Sequence, residues 1–190
     1  MIRFGKPSGP LLMQKASFFR DNDKLQENIK RISEIYAAQP VRTNCKNCDG
    51  ALVGRTFKKL GVDYVFCNFC GHLNGRNEDT AEFCRTVYTD NGGAAYAQVY
   101  SAEDRQSYQS RVDAIYKPKA KFLLEVLGPD ARKLRYADMG AGSGYFVSAL
   151  LGEGVDNVVG HEVSEAQVRL AKAMSSGTFH VHDLDDIDHL

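Results

Sequence analysis

The chain has 190 residues, balances 24 Lys plus Arg against 24 Asp plus Glu, and is 43% hydrophobic. That suffices for one domain of ordinary size or two small ones, with neither a disordered nor a fibrous bias. A net charge of zero offers no global basic field to nucleic acid or anionic lipid, no apolar run nears the ~20 residues that cross a bilayer, and Leu11-Leu12-Met13 is too short for a signal-peptide core, so the expected location is cytoplasmic.

In chain order, residues from about Asp21 to Ala38 carry Leu25, Ile29, Ile32 and Ile35 at three- and four-residue steps. This is a helical packing stripe, capped by Asp21 or Asp23 and stopped by Pro40. Thr43 to about Arg76 holds two cysteine pairs, with strand-like stretches Ala51–Arg55 and Val62–Phe66 between them and turns at Gly50, Gly61 and Gly71. After Gly75 the chain reads as polar and helical to about Ile115, with Tyr88, Tyr96, Tyr100, Tyr108 and Tyr116 scattered through and just beyond it. From Pro118, Ala120, Leu123, Leu124 and Leu127 mark a helix terminated by Gly128-Pro129. A strand (Leu134–Ala137), a glycine loop and a helix (about Tyr145–Leu151) follow. Next come a strand (Asn157–His161), a helix opened by Ser164 with Gln167 as a capping box, and a third strand, Thr178–His182. The β-α-β-α-β alternation predicts an α/β fold with parallel pairing. The expected segments are 1–40 (helical), 41–76 (cysteine ribbon), 77–117 (helical linker) and 118–190 (α/β).

Cys45, Cys48, Cys67 and Cys70 form two Cys-x-x-Cys pairs with 18 residues between the pairs. In a cytoplasmic chain this spacing points to metal ligation rather than disulfides. Each knuckle brings two thiolates into one coordination sphere, and two knuckles on a hairpin make a zinc ribbon. Four thiolates leave no open position for water, so the expected Zn²⁺ is structural and stabilises a module with a small core. Four buried free thiols are the plainer alternative. Cys84 stands outside the pattern, and His72 is at most an outer neighbour of the metal.

The loop Asp138-Met-Gly140-Ala-Gly142-Ser-Gly144 follows an apolar run and precedes a helix. A dinucleotide fingerprint would place a third glycine where Tyr145 stands. Asp138 would repel a pyrophosphate but suits a cationic amino group, which favours S-adenosylmethionine over a nicotinamide dinucleotide. Glu162, ending the second strand, can accept from ribose hydroxyls. Asp183, ending the third, can accept from an adenine amino group, with Leu184 covering the ring. A tight packing turn is the alternative for the loop alone, but three such strand ends in consecutive β-α units point to ligand binding at the carboxyl ends of the strands.

The loop, Glu162 and Asp183 resemble the motifs of class I S-adenosylmethionine-dependent methyltransferases. Cys45-Lys-Asn-Cys48 and Cys67-Asn-Phe-Cys70-Gly-His-Leu resemble the subgroup with an N-terminal zinc-binding domain, which includes sugar C-methyltransferases. The resemblance implies the first half of a Rossmann-like methyltransferase sheet and a small-molecule acceptor such as a sugar or saccharide precursor. It places Gly140 and Gly142 at the methionine moiety, Glu162 at the ribose, and Asp183 with Leu184 at the adenine. The family's sheet continues through four more strands, so the chain reads as C-terminally truncated, and self-association or a partner chain completing the sheet is expected. No catalytic base is assigned; His161, His180, His182 and the tyrosines of Tyr88–Tyr116 are the candidates. A non-catalytic cofactor- or partner-binding remnant is the second reading. A zinc-ribbon nucleic-acid binder is the third, resting on the local patch Lys46, Arg55, Lys58 and Lys59 in a neutral chain.

Overall fold

Among the described residues, two separate three-stranded sheets, one antiparallel and one parallel, organise a mixed α/β fold. The computed structural model describes residues 8–14, 22–89 and 104–182. The chain divides into two units, Ser17–Val87 and Met1–Ala16 with Tyr88–Leu190. No helix among the described residues is long and apolar enough to cross a membrane.

In the unit Ser17–Val87, the expected amphipathic helix runs Asn22–Ala37 (α2; α1, Ser8–Gln14, belongs to the other unit). Asp21 lies outside the described residues, and Asp23 sits in the first turn, where a carboxylate opposes the positive end of the helix dipole. Ser33 and Tyr36 are buried, whereas Ile35 of the predicted stripe is only half-buried. Tyr36 anchors the helix: its hydroxyl donates to the Asn77 carbonyl and accepts the Asn77 N–H at 3.1 Å. Gly75 makes the room, because a Cβ there would lie 2.0 Å from that hydroxyl.

The antiparallel sheet is β1 (Thr56–Lys59), β2 (Val62–Phe66) and β3 (Leu73–Gly75), in that order. The first strand therefore starts five residues later than Ala51–Arg55. Lys59 pairs with Val62 across a two-residue turn in which Leu60 and Gly61 are both left-handed, the turn that matches strand twist. Residues 51–55 instead brace the two cysteine knuckles. Leu52 N–H donates to the Thr43 carbonyl at 2.7 Å, and the Val53 carbonyl accepts from Asn68 N–H at 3.0 Å. α3 (Ala81–Tyr88) follows β3.

The second unit contains a helical run, α4 (Arg105–Arg111), a π turn (Val112–Tyr116) and α5 (Lys117–Leu127). Asp104 caps it, accepting the Ser107 N–H at 2.7 Å, and left-handed Gly128 ends it. After a 3₁₀ turn (Ala131–Lys133) come β4 (Tyr136–Met139), α6 (Tyr145–Gly152), β5 (Val158–Glu162), α7 (Glu165–Met174) and β6 (Thr178–Val181). The strands are parallel in the order β4-β5-β6, the β-α-β-α-β arrangement the sequence predicts. β4 begins two residues later than expected because Leu134 stays exposed and pairing opens at Tyr136↔Val158.

Phe179 on β6 is fully buried and occupies space that three side chains would otherwise fill. A Cβ on Gly144 would lie 2.4 Å from its ring, one on Gly160 2.6 Å, and one on Gly177 3.1 Å. Val147, Leu150, Val155, Val158, Val168 and Ala171 complete the core around it. Strand alternation turns Ala137, Met139, His161 and His180 to the opposite face, where Ala137, Met139 and His180 are exposed.

Two substitutions test this packing by urea denaturation. Phe179→Ala should destabilise the chain by about 3–5 kcal/mol, the usual cost of emptying a buried aromatic site. Gly160→Ala, whose methyl would meet both Phe179 and the Ala141 Cβ at 2.9 Å, should cost about 1–3 kcal/mol. Neutral results would show that the socket tolerates change.

Candidate functional site

β4 carries Asp138 to the carboxyl end of the parallel sheet, and the chain then turns through Gly140–Gly144 into α6. The turn is tied from several sides. The N–H groups of Gly140 and Ala141 both donate to the His161 carbonyl, at 2.8 and 2.9 Å. Glu162 is buried, its Oε2 accepting the Gly142 N–H at 2.8 Å and its Oε1 the Ser164 N–H at 3.0 Å. Buried Ser143 donates its hydroxyl to Gln167 Oε1, and its carbonyl accepts from the Tyr108 hydroxyl at 3.0 Å.

The three loop glycines do different jobs. All are left-handed, with φ of 76°, 54° and 75° at Gly140, Gly142 and Gly144. A Cβ on Gly140 or Gly142 would meet nothing within 4 Å, so these two border open space where a ligand could approach the main chain. Gly144 faces inward, onto Phe179 and Ala171, and its role is close packing of α6.

The site is acidic. Burial pushes the Asp138 carboxyl above the usual range, the nearby Glu162 charge adds to this, and Lys119 partly opposes it. Two carboxylates share the strand ends with a single lysine influencing Asp138, which disfavours a phosphate and favours a cationic group. Glu162 uses one acceptor position on each oxygen for the loop, and each oxygen retains a lone pair for a ligand hydroxyl. Asp183 and Leu184 lie outside the described residues.

Sequence reasoning missed the supports of this loop. Ser164 does cap α7, accepting the Gln167 N–H at 3.3 Å. The return arm of the expected capping box is diverted: Gln167 reaches Ser143, while the Ser164 N–H goes to Glu162. Tyr108 was legible only as one of several tyrosines. It stacks on Tyr145 at 4.6 Å, with Tyr116 on the same ring at 5.2 Å and the Arg111 guanidinium 4.8 Å from its centroid. Burial pushes the Tyr108 hydroxyl up to about 12, so it acts as a donor to the loop and not as a base at neutral pH. Tyr96 and Tyr100 lie outside the described residues. The three histidines cluster, with ring centroids 5.0–5.8 Å apart, and burial followed by His182 and His180 pulls His161 down.

In the other unit the four cysteines converge. Cys45 and Cys70 Sγ lie 3.7 Å apart, as do Cys48 and Cys67 Sγ, and all four lie within 4.8 Å of one another. A tetrahedron with metal–sulfur bonds of about 2.3 Å has edges of about 3.8 Å, so the donor set fits a Zn²⁺-sized ion. The knuckles match: Asp49 N–H returns to the Cys45 carbonyl and Gly71 N–H to the Cys67 carbonyl, both at 2.9 Å and both from left-handed residues. Asn74, fully buried and unmarked in the sequence, donates Nδ2 to Cys45 Sγ at 3.4 Å and accepts the Lys46 N–H at 3.0 Å. Burial opposes ionisation of Cys45. The N–H of Asn47, the Asn74 amide and the Cys48 N–H overcome it and hold the thiol at about 6. At Cys48 the N–H of Gly50 favours ionisation, but Cys70, burial and the other two cysteines push the thiol up to about 12. The local basic patch is partly neutralised, Lys46 pairing with Asp79 at 3.0 Å and Lys58 with Asp63 at 3.3 Å.

No family model and no curated protein matches this chain. Among solved structures it is similar to magnesium protoporphyrin IX methyltransferase (ChlM) from Synechocystis PCC 6803 with bound SAM, at 21% identity and a TM-score of 0.35. The match covers 54% of this chain and 54% of that one, so it spans about half the length of that protein.

Two outcomes follow from the charges. Asp138 binds its proton more tightly in the folded chain than in the unfolded one, so the stability it contributes at low pH is lost as pH rises from about 3.8 through its raised value. Asp138→Asn should therefore melt higher than the parent at pH 7, the gap closing below about pH 3.8; an equal or lower melting temperature at pH 7 contradicts a destabilising carboxylate. Cys70→Ser should weaken the thiolate-to-metal charge-transfer band of the Co²⁺-substituted chain, since three of the four thiolates remain, and should expose residues 22–87 to proteolysis. Apparent binding free energies of structural zinc reach about 10–16 kcal/mol, far more than so small a core supplies.

Proposed function

We propose that the chain is the S-adenosylmethionine-binding part of a methyltransferase that acts on a small molecule, with a sugar or saccharide precursor as acceptor. The observation that carries the reading is the acidic, glycine-lined end of the parallel sheet, where two open left-handed glycines stand between Asp138 and Glu162. Ligands of open parallel sheets bind at the carboxyl ends of the strands. S-adenosylmethionine supplies an activated methyl group on a sulfonium. Asp138 offers its carboxylate to a cationic amino group, Gly140 and Gly142 admit the ligand to the main chain, and Glu162 accepts from the ribose hydroxyls. Asp183 and Leu184 are assigned the adenine. The sugar assignment rests on the order of modules, a cysteine ribbon ahead of the α/β unit. The ribbon's ion is assigned as Zn²⁺, held by Cys45, Cys48, Cys67 and Cys70 in a closed structural role.

A cofactor-binding protein without turnover is the second reading. It is favoured by the use of Tyr108 and Tyr116 to pack α6, which removes two of the candidate bases.

Calorimetry with S-adenosylmethionine and S-adenosylhomocysteine is the test. Both should bind, and Asp138→Asn should weaken binding by about 10–100-fold, the worth of a hydrogen bond to a charged group. Absence of binding by either sinks the proposal. Transfer of a labelled methyl group to a nucleotide-sugar panel then separates the readings: transfer identifies an enzyme, and binding without transfer identifies the second reading.

A further inference from the structure

We propose that His161, His180 and His182 form a second metal site, a three-imidazole site for Zn²⁺ or a similar borderline divalent ion. Two neighbouring strands build it. His161 on β5 pairs in register with His180 on β6, and His182 lies two residues beyond His180, so the three imidazoles belong to one face at one end of the sheet. That face is the one opposite Phe179.

Ring spacing is the first argument. Centroids lie 5.0 Å apart for His161 and His182, 5.7 Å for His161 and His180, and 5.8 Å for His180 and His182. An imidazole nitrogen about 2.0–2.1 Å from zinc puts its ring centroid about 3.2 Å from the ion, and tetrahedral angles then separate centroids by about 5.2 Å. The three rings already stand at this separation. Among the described residues only the cysteines have donor atoms that have all converged within 4.8 Å, so ligation requires the imidazoles to turn. Rotation about χ2 is soft for histidine, and His180 is exposed and His182 half-buried, leaving both free to do so.

The second argument is an orphaned atom. His161 is 7% exposed, and its Nδ1 is buried without a hydrogen-bond partner. A buried polar nitrogen left in this way is costly, and ligation at Nδ1 would satisfy it. Imidazole donors suit Zn²⁺, Cu²⁺ and Ni²⁺, and three of them leave a fourth position for water or an anionic ligand. The site is thus of a different kind from the closed cysteine quartet.

Metal counting tests the proposal on the full chain, purified without a histidine tag and with its cysteine quartet filled. Calorimetric titration with Zn²⁺ should reveal a second equivalent. The double substitution His180→Ala with His182→Ala changes only side chains outside the core and should leave the first equivalent in place. It should weaken the second by at least about tenfold, since even outer neighbours of a metal are worth that much. With Co²⁺, the second equivalent should bring visible d–d bands without added thiolate charge transfer. Failure of the parent to take up a second equivalent overturns the proposal. So does retention of that equivalent by the double variant, or a thiolate charge-transfer band that grows with it.

Discussion

Phe179 sets the distance between the parallel sheet and the start of α6, and the glycine loop depends on that distance. Its ring lies where side chains on Gly144, Gly160 and Gly177 would be, so helix, central strand and edge strand meet across one benzyl group. With α6 held this close, the chain between Met139 and Tyr145 has no slack. It turns on three left-handed glycines, and this turn aims the Gly142 N–H at Glu162. The long helical run reinforces it from outside, where Tyr108 stacks on Tyr145 and its hydroxyl bonds the Ser143 carbonyl. The open surface at Gly140 and Gly142 is therefore a product of packing behind it, and a ligand would meet a main chain already in position.

Both candidate sites gather groups that repel one another when charged. At the sheet, Glu162 has two backbone donors to hold its charge, whereas Asp138 is half-buried, feels the Glu162 charge, and has its carboxyl pushed up as a result. Asp138 is the place where an incoming cation relieves the most. At the knuckles the same logic splits the thiols: hydrogen bonds bring Cys45 down to about 6, and the sulfurs around Cys48 drive it up to about 12. Four thiolates 3.7–4.8 Å apart cannot all ionise without a cation among them. A divalent ion would remove that conflict and would add to a small core, since the buried cluster there consists of Leu52, Val65 and two of the cysteines themselves.

Much of this was legible because the signals were local. Cys-x-x-Cys spacing depends on a few consecutive residues, and the β-α-β-α-β alternation follows from apolar runs punctuated by glycines and Ser164. The strand starts were less legible. Residues 51–55 look like a strand by composition, yet they serve the two knuckles, and the hairpin is set instead by the Leu60-Gly61 turn. The supports of the sites were not legible, because they are contacts across long sequence separations. Asn74 reaches Cys45 across 29 residues and Tyr108 reaches Ser143 across 35. Gln167 carried a local meaning as a capping residue, and tertiary contact with Ser143 overrode half of it.

The parallel sheet also carries, in β6, a sequence at odds with ordinary burial. Strands of a parallel sheet covered on both faces read as continuous apolar runs. β6 with the residue after it reads Thr-Phe-His-Val-His, apolar at Phe179 and Val181 but polar at Thr178, His180 and His182. The Phe179 side is committed to the α6 and α7 core. The other side combines exposed Ala137 and Met139 with a ladder of imidazoles, one of them, His161, drawn into the interior. An apolar cover would strand those nitrogens away from water, at a cost that grows with each one buried. The face is therefore suited to water, or to an ion that the imidazoles can share, and not to the aliphatic helix surface that a sheet of this type otherwise receives.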